Sequence, residues 1–377
     1  MFFTSESVTS GHPDKICDKV SDSILDALLV KDANSKVAVD TWVKGNKLGL
    51  IGEVNTKAKI DYEKISREVV LEIGYDSDDL GFNGHNFEFF NFVGQQSTEI
   101  NKAVDKAGEI GAGDQGIMFG MANIQTKDMM PLPIWLAHKL ARELESFRKN
   151  KVQQKQVSSL RPDGKTQVTI EFEEIFEGNK RTAFKPKRLD TILISSQHIS
   201  EISGEELEKL IQTEIIQKVL QENDLENLLD EKTKILINPS GSFVLGGPVA
   251  DSGLTGRKII VDSYGGWAFS GKDFSKVDRS GAYMARYLAK WIVKNGWSDE
   301  VEIQLSYAIG KAEPLSVELY GECFKPANEI RQEILQKFDL TPAGIIKFLD
   351  LKNVIYSKTA SYGHFGRVSE GFGWEGV

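Results

Sequence analysis

Between residues 251 and 280 the chain places five cations, four aspartates and five glycines in thirty positions. Arg257, Lys258, Lys272, Lys276 and Arg279 can neutralise phosphate oxygens, and Asp262, Asp273 or Asp278 can hold a hard divalent cation that bridges those oxygens. The glycines allow close backbone approach to a ligand. No P-loop accompanies the run, so by itself it divides evenly between a polyphosphate–metal site and an ordinary exposed polar loop.

Other segments carry related chemistry. Gly11-His12-Pro13-Asp14-Lys15 sets an imidazole, a carboxylate and an ammonium at a helix start, where backbone N–H groups favour an anion. The plainer alternative is capping by Asp14 with His12 on the surface. Gly111-Ala112-Gly113-Asp114-Gln115-Gly116 presents a carboxylate on a tight backbone path or forms a simple hairpin turn. Arg161-Pro162-Asp163-Gly164-Lys165 reads as a Pro-Asp-Gly turn with Lys165 just past it, within reach of a phosphate. Phe243, among glycines, offers a flat surface to a base or belongs to the core. Asp40 and Glu53 interrupt apolar strands and must meet solvent, a partner or an ion. Ser361-Tyr362-Gly363-His364-Phe365-Gly366-Arg367 fits a site or the docking of the terminus equally well. Gly-x-Ser-x-Gly, metalloprotease and Gly-x-Gly-x-x-Gly motifs are absent from the sequence.

Positioning these groups requires elements that hydrophobic periodicity outlines. Ile16, Val20, Ile24 and Leu28 recur every fourth residue behind Pro13, which predicts a helix opening on that proline. Strands at Lys36–Val43 and Lys47–Val54 flank Gly45-Asn46, and Tyr62–Ile73 returns to helical spacing. A similar set is Thr166–Phe172, Leu189–Ser195 and helix Glu205–Leu220. A third joins strands at Lys258–Val261, Val301–Ile309 and Ser316–Leu319 to helices at Arg279–Val293 and Ala327–Phe338. The recurrence predicts three similar α+β domains: 1–98, 114–232 and 233–377, whose structural segments can interleave. Residues 99–113 between the first two form either a mobile loop closing over a site or a plain linker.

Bulk composition narrows the function. At 377 residues, 40% hydrophobic and 27% charged, the chain is an ordinary globular one with room for two or three cores. Its net charge of −9 argues against broad binding to nucleic acid or anionic membrane, while leaving room for a locally basic cleft. Cys17 and Cys323 provide neither a disulfide framework nor zinc-ligand spacing. With no cationic leader before an apolar stretch, and no apolar run of about eighteen residues, a cytoplasmic location is expected.

Taken together, Gly-His-Pro-Asp-Lys, Gly-Ala-Gly-Asp-Gln-Gly, Gly-Leu-Thr-Gly-Arg-Lys, Ser-Gly-Lys-Asp and the terminal Tyr-Gly-His-Phe-Gly-Arg closely resemble the S-adenosylmethionine synthetase family. The resemblance covers nearly the whole chain. It implies three pseudo-threefold-related domains, each a β-sheet with helices on one face. It also implies a homodimer with active sites between subunits, often paired into a tetramer. The implied substrates are ATP and L-methionine, with two Mg²⁺ and K⁺ as cofactors; the products are S-adenosylmethionine, phosphate and diphosphate.

By the same resemblance His12 meets the leaving end of the triphosphate, and Asp14 and Asp278 hold Mg²⁺. Lys165, Arg257, Lys258, Lys272 and Lys276 contact phosphates, with His12, Lys165, Arg257 and Lys272 as the catalytic set. Asp163, Asp251 and Ala268 complete the ATP site, and Phe243 stacks on adenine. Methionine is implied to meet Glu53, Gln96, Asp114, Asp251 and Lys276, and K⁺ to lie at Asp40. Three departures stand out: Ser242 replaces a usual Arg, Asp40 replaces a usual Glu, and a Gly-rich insert is missing after Trp267.

Overall fold

A helix with Pro13 in its first turn and apolar residues at every fourth position forms as expected: α1 spans Pro13–Lys31, and burial of Ile16, Val20, Ile24 and Leu28 ties it to the core. The computed structural model describes residues 1–96, 105–106, 109–110, 112, 115–178, 180–264 and 276–377. Most of the expected loop at 99–113 lies outside the described residues, as do Asp114, Ala268, Lys272 and Asp273.

Among the described residues, three sheets of three or four strands organise the fold. The first joins β1 (Phe2–Val8), β6 (Leu160–Glu177), β7 (Lys180–His198) and β8 (Lys234–Ile237) in that order, and only β8 runs parallel to its neighbour. The second joins β9 (Gly253–Leu254), β2 (Lys36–Lys44), β3 (Lys47–Asn55) and β4 (Glu88–Gln95), again antiparallel except for the last pair. The third joins β11 (Ser316–Tyr320), β10 (Glu300–Tyr307) and β5 (Gly116–Asn123), all antiparallel. A two-residue pair, Asp105–Lys106 with Glu109–Ile110, stands apart from these sheets.

The recurrence expected from sequence is therefore visible in the topology. Each sheet holds two successive strands that precede a helix: α2 (Tyr62–Ile73) after β3, α4 (Gly204–Leu210) after β7, and α6 (Ala327–Lys337) after β11. Each also takes an edge strand from a remote part of the chain, so segments interleave across the sheets. Long helices cover one face of each: α1 on β2, α3 (Leu132–Gln153) on β1 and β6, and α5 (Val277–Lys294) on β5 and β10.

Some expected elements differ. Lys258–Val261 is not a strand, because Ile259–Asp262 forms a single helical turn. There Asp262 is buried against Lys15, a contact that a strand's alternation gives no reason to expect. Glu205–Leu220 is helical but passes through a π turn at Ile211–Gln217. Arg161–Lys165 is not the expected Pro-Asp-Gly turn; it lies inside β6, where the register shifts between Leu160 and Gly164. This irregularity is a bulge that re-aims side chains at the end of the strand.

Candidate active site

The connection from β1 to α1 is pressed against the β6 bulge. Thr9 donates through its N–H to Gly164 O at 2.9 Å and through its hydroxyl to Pro162 O at 2.7 Å. Gly11 permits this approach, since a Cβ there would fall 2.3 Å from Pro162 O. The Tyr75 hydroxyl clamps the other side by donating to Gly11 O at 2.7 Å.

These contacts fix His12 as the N-cap of α1. Its Nδ1 accepts the Asp14 N–H at 3.2 Å, so the cap is His12 rather than Asp14, and the ring is buried rather than on the surface. Burial first, then the charges of Lys258, Lys165 and Lys15, push its pKa down to about 2, with Asp251 pulling the other way. The imidazole is thus neutral, with its proton on Nε2 as a donor.

Asp14, fully buried in the first turn, is the centre of the cations. Lys258 Nζ lies 2.5 Å from Oδ2, Arg257 Nε 3.5 Å from Oδ1, and Leu254 N–H donates to Oδ1 at 3.0 Å. Asp163 forms the opposite wall. Its Oδ2 accepts Gly247 N–H at 2.8 Å, while its buried Oδ1 has no hydrogen-bond partner. Burial raises its pKa to about 6 against the opposing pull of Gly247 and Lys165. Gly247 adopts φ +64, and a Cβ there would meet the Tyr75 hydroxyl at 2.3 Å. Residues 11–14, 163–165, 247–251 and 254–258 therefore converge on one cationic cradle, although the sequence scatters them.

Phe243 sits at its border. Its N–H donates to His198 Nε2 at 3.0 Å, and its carbonyl accepts the His198 N–H at 3.1 Å. His198 Nδ1 lies 2.7 Å from Ile199 O, which fixes the tautomer with hydrogen on Nδ1. Gln197 bridges the Asp163 N–H and Val244 O at 3.3 and 3.1 Å. Gln197 and His198 were not singled out from sequence; a polar pair ending an apolar strand was the available signal.

Other expected residues lie elsewhere. Asp40, Glu53 and Gln96 belong to the second sheet and its end. Asp40 pairs with Ile51 and Glu53 with Ala38 on its outer face, and Gln96 Oε1 is buried without a hydrogen-bond partner. Lys276 caps α5, and Asp278 lies in its first turn beside Gly116. Arg279 and Asp262, two groups of the 251–280 run able to meet phosphate or metal, have structural roles instead. Arg279 forms a buried bidentate pair with Asp22 at 2.9 and 2.8 Å, and Asp262 receives the buried Lys15 ammonium. The terminal His364 is likewise docked, with Nδ1 2.8 Å from the Tyr283 hydroxyl and its carbonyl accepting Trp374 Nε1–H.

One pattern escaped the sequence reading altogether. Asp14, Asp18, Asp22 and Asp26 repeat every fourth residue and form a stripe along α1. Each binds a segment remote in sequence: Asp14 binds 254–258, Asp18 accepts Gly256 N–H at 2.9 Å, and Asp22 pairs with Arg279. Asp26 accepts the N–H groups of Tyr356 and Ser357 at 2.7 and 2.9 Å.

Among the described residues no three His, Cys, Asp or Glu side chains converge into a metal cage. Mg²⁺ keeps waters and binds through one or two carboxylates together with substrate phosphates. A buried carboxylate ringed by phosphate-seeking cations, as at Asp14, therefore suits a metal that arrives with a polyphosphate.

Three family profiles match the chain in order: S-adenosylmethionine synthetase N-terminal domain over residues 1–98, central domain over 109–243 and C-terminal domain over 245–376. The S-adenosylmethionine synthase of Corynebacterium kroppenstedtii is 48% identical over 393 aligned positions, covering 99% of this chain and 95% of that protein.

Proposed function

The chain belongs to the S-adenosylmethionine synthetase family, and from that premise we propose how its residues share the work. It is a methionine adenosyltransferase that makes S-adenosylmethionine, with ATP and L-methionine as substrates. The observation that carries the assignment of roles is the neutral, buried His12 beside Asp14, Lys165, Arg257 and Lys258.

Methionine's thioether has no proton to lose, so attack on ribose C5′ needs no general base. The S–C5′ bond forms as the C5′–O bond breaks, and the triphosphate leaves with one more negative charge. Lys165, Arg257 and Lys258 stabilise that charge more than the ground state, and so does Lys272, which lies outside the described residues. His12 Nε2–H donates to the leaving oxygen. Because the ring is held neutral, it adds a hydrogen bond without competing for the carboxylate of Asp14. Asp163 orders the turn at Gly247, and Asp251, close enough to act on His12 and Asp163, faces the ribose. Phe243, braced by His198, stacks on adenine. Asp14 and Asp278 are the residues that would hold Mg²⁺, and a bound divalent ion would supply positive charge to the phosphates. Water then cleaves the retained tripolyphosphate to phosphate and diphosphate.

Methionine meets Glu53, Gln96, Asp114, Asp251 and Lys276, and Asp40 is the residue that would hold K⁺. Glu53 and Asp40 flank an open apolar stretch of the second sheet. Ile51 and Phe92 pair across β3 and β4 and are 42% and 65% exposed, and Trp42 stacks on Phe90 at 5.6 Å. A patch of this kind marks an interface, which supports a homodimer that brings these residues to the partner's cradle. The domains are proposed at 1–98, 114–232 and 233–377. No helix among the described residues is long and apolar enough to cross a membrane, and we place the protein in the cytoplasm.

Incubation with ATP, methionine and Mg²⁺ tests this reading. Mass spectrometry is expected to detect S-adenosylmethionine, and phosphorus NMR to detect phosphate plus diphosphate. ADP or AMP as the nucleotide product would overturn it.

A further inference from the structure

A second basic pocket lies behind the connection from β1 to α1, between α1, α3 and the C-terminal segment. Its volume is about 250 Å³. Its wall carries Lys19, Arg142, Lys149, Lys358 and Arg367 against only two carboxylates, Glu145 and Glu370, in a chain whose net charge is −9.

Both carboxylates are already engaged. Glu145 accepts the Ser10 hydroxyl at 2.7 Å and Lys149 at 2.8 Å, and also takes the Tyr362 hydroxyl. Glu370 pairs with Arg142 at 3.2 Å and with Arg367. Lys19 reaches out to Glu72 at 2.7 Å. Among the described residues, Lys358 is exposed and has no carboxylate partner. Ser361, 8% exposed and part of the same wall, has a buried hydroxyl without a hydrogen-bond partner.

Surplus positive charge, an unsatisfied hydroxyl and a cavity together call for an anion. Unpaired buried polar atoms are costly, and charge-assisted bonds to phosphate oxygens are strong. The volume is below the usual range for drug-sized ligands, so it suits a small ion rather than a whole nucleotide. None of Asp14, Lys165, Arg257 and Lys258 lines it. Its link to the cradle is Ser10, two residues before His12, whose N–H meets the Tyr362 hydroxyl at 3.3 Å.

We propose that this pocket is a second anion site, which takes inorganic phosphate or another small phosphoryl oxyanion through Arg142, Lys149, Lys358 and Ser361. The site is independent of the catalytic reading above.

Equilibrium dialysis of the full chain against radiolabelled inorganic phosphate tests it, with ATP present to fill the cradle and methionine omitted. One phosphate per chain is expected to resist displacement by ATP. Lys358→Glu is expected to weaken that phosphate at least tenfold while leaving the KM for ATP within twofold. Ser361→Val is expected to weaken it as well; should that variant not fold, the exposed Lys358→Glu still decides. Preference for inorganic phosphate over glycerol 3-phosphate assigns the seat to a free anion, and the reverse assigns it to a phosphomonoester. Complete displacement by ATP, or identical binding by wild type and Lys358→Glu, overturns the proposal.

Discussion

Asp14 and Asp22 stand on the same helix, eight residues and ~12 Å apart, yet their surroundings differ in kind. Asp22 meets Arg279 in a sealed bidentate pair, and Arg279 is further held by Thr359 at 3.1 Å and by the Tyr356 ring at 4.4 Å. Each buried charge there has its counterpart. Around Asp14 the cations outnumber the carboxylate, Arg257 is exposed, and Asp163 keeps an unpartnered oxygen. The same device, an aspartate on α1 gripping a remote segment, gives stability where its charges close and a binding site where they do not.

Removing Asp22 should break the closed end most severely. Asp22→Ala leaves Arg279 buried and unpaired, and a loss of about 3–5 kcal/mol of stability is expected, read by denaturant titration. A variant as stable as wild type would mean that the pair does not close that end. Asp14→Asn should separate the two ends. Its turnover is expected to fall ~100–1,000-fold, about 2.7–4 kcal/mol in the barrier, with Tm changed by only a few degrees. A collapse of Tm with activity retained would place Asp14 with the structural aspartates.

Acid acts more gently, through buried histidines that the fold keeps neutral. Burial, then nearby cations, holds His138 at about 3 and His364 well below the ordinary 6.5. The unfolded chain therefore takes up protons that the folded chain refuses. The stability is fully present above about 6.5 and is lost as pH falls, by ~1.4 kcal/mol per pH unit for each histidine. Calorimetry between pH 7 and 5 checks this, and a flat Tm over that range would contradict it.

Much of this arrangement was legible in sequence where a local rule applied. The period of α1, the paired strands around Gly45-Asn46 and the cation-rich run at 251–280 each follow from neighbouring residues. What was hidden depends on distance in the chain. Nothing near Arg279 distinguishes it from Arg257, and only the fold buries one against Asp22 and leaves the other beside Asp14. The helical turn at Ile259–Asp262 was hidden for the same reason, since its β-branched residues favour a strand until Lys15 fixes Asp262. The Pro-Asp-Gly bulge carried the composition of a turn, and the pressure of Thr9 and Gly11 on Pro162 is non-local.

The aspartate stripe also bears on the order of events during synthesis. α1 leaves the ribosome early, but the groups that satisfy it come late: Leu254 is 240 residues beyond Asp14, Asp262 is 247 beyond Lys15, and Arg279 is 257 beyond Asp22. At ~5–20 residues per second that delay is roughly 12–50 s. Through it Lys15 and the four aspartates must remain hydrated, so α1 cannot bury its polar face early. The last third of the chain, once made, closes the helix and the cradle in one late step.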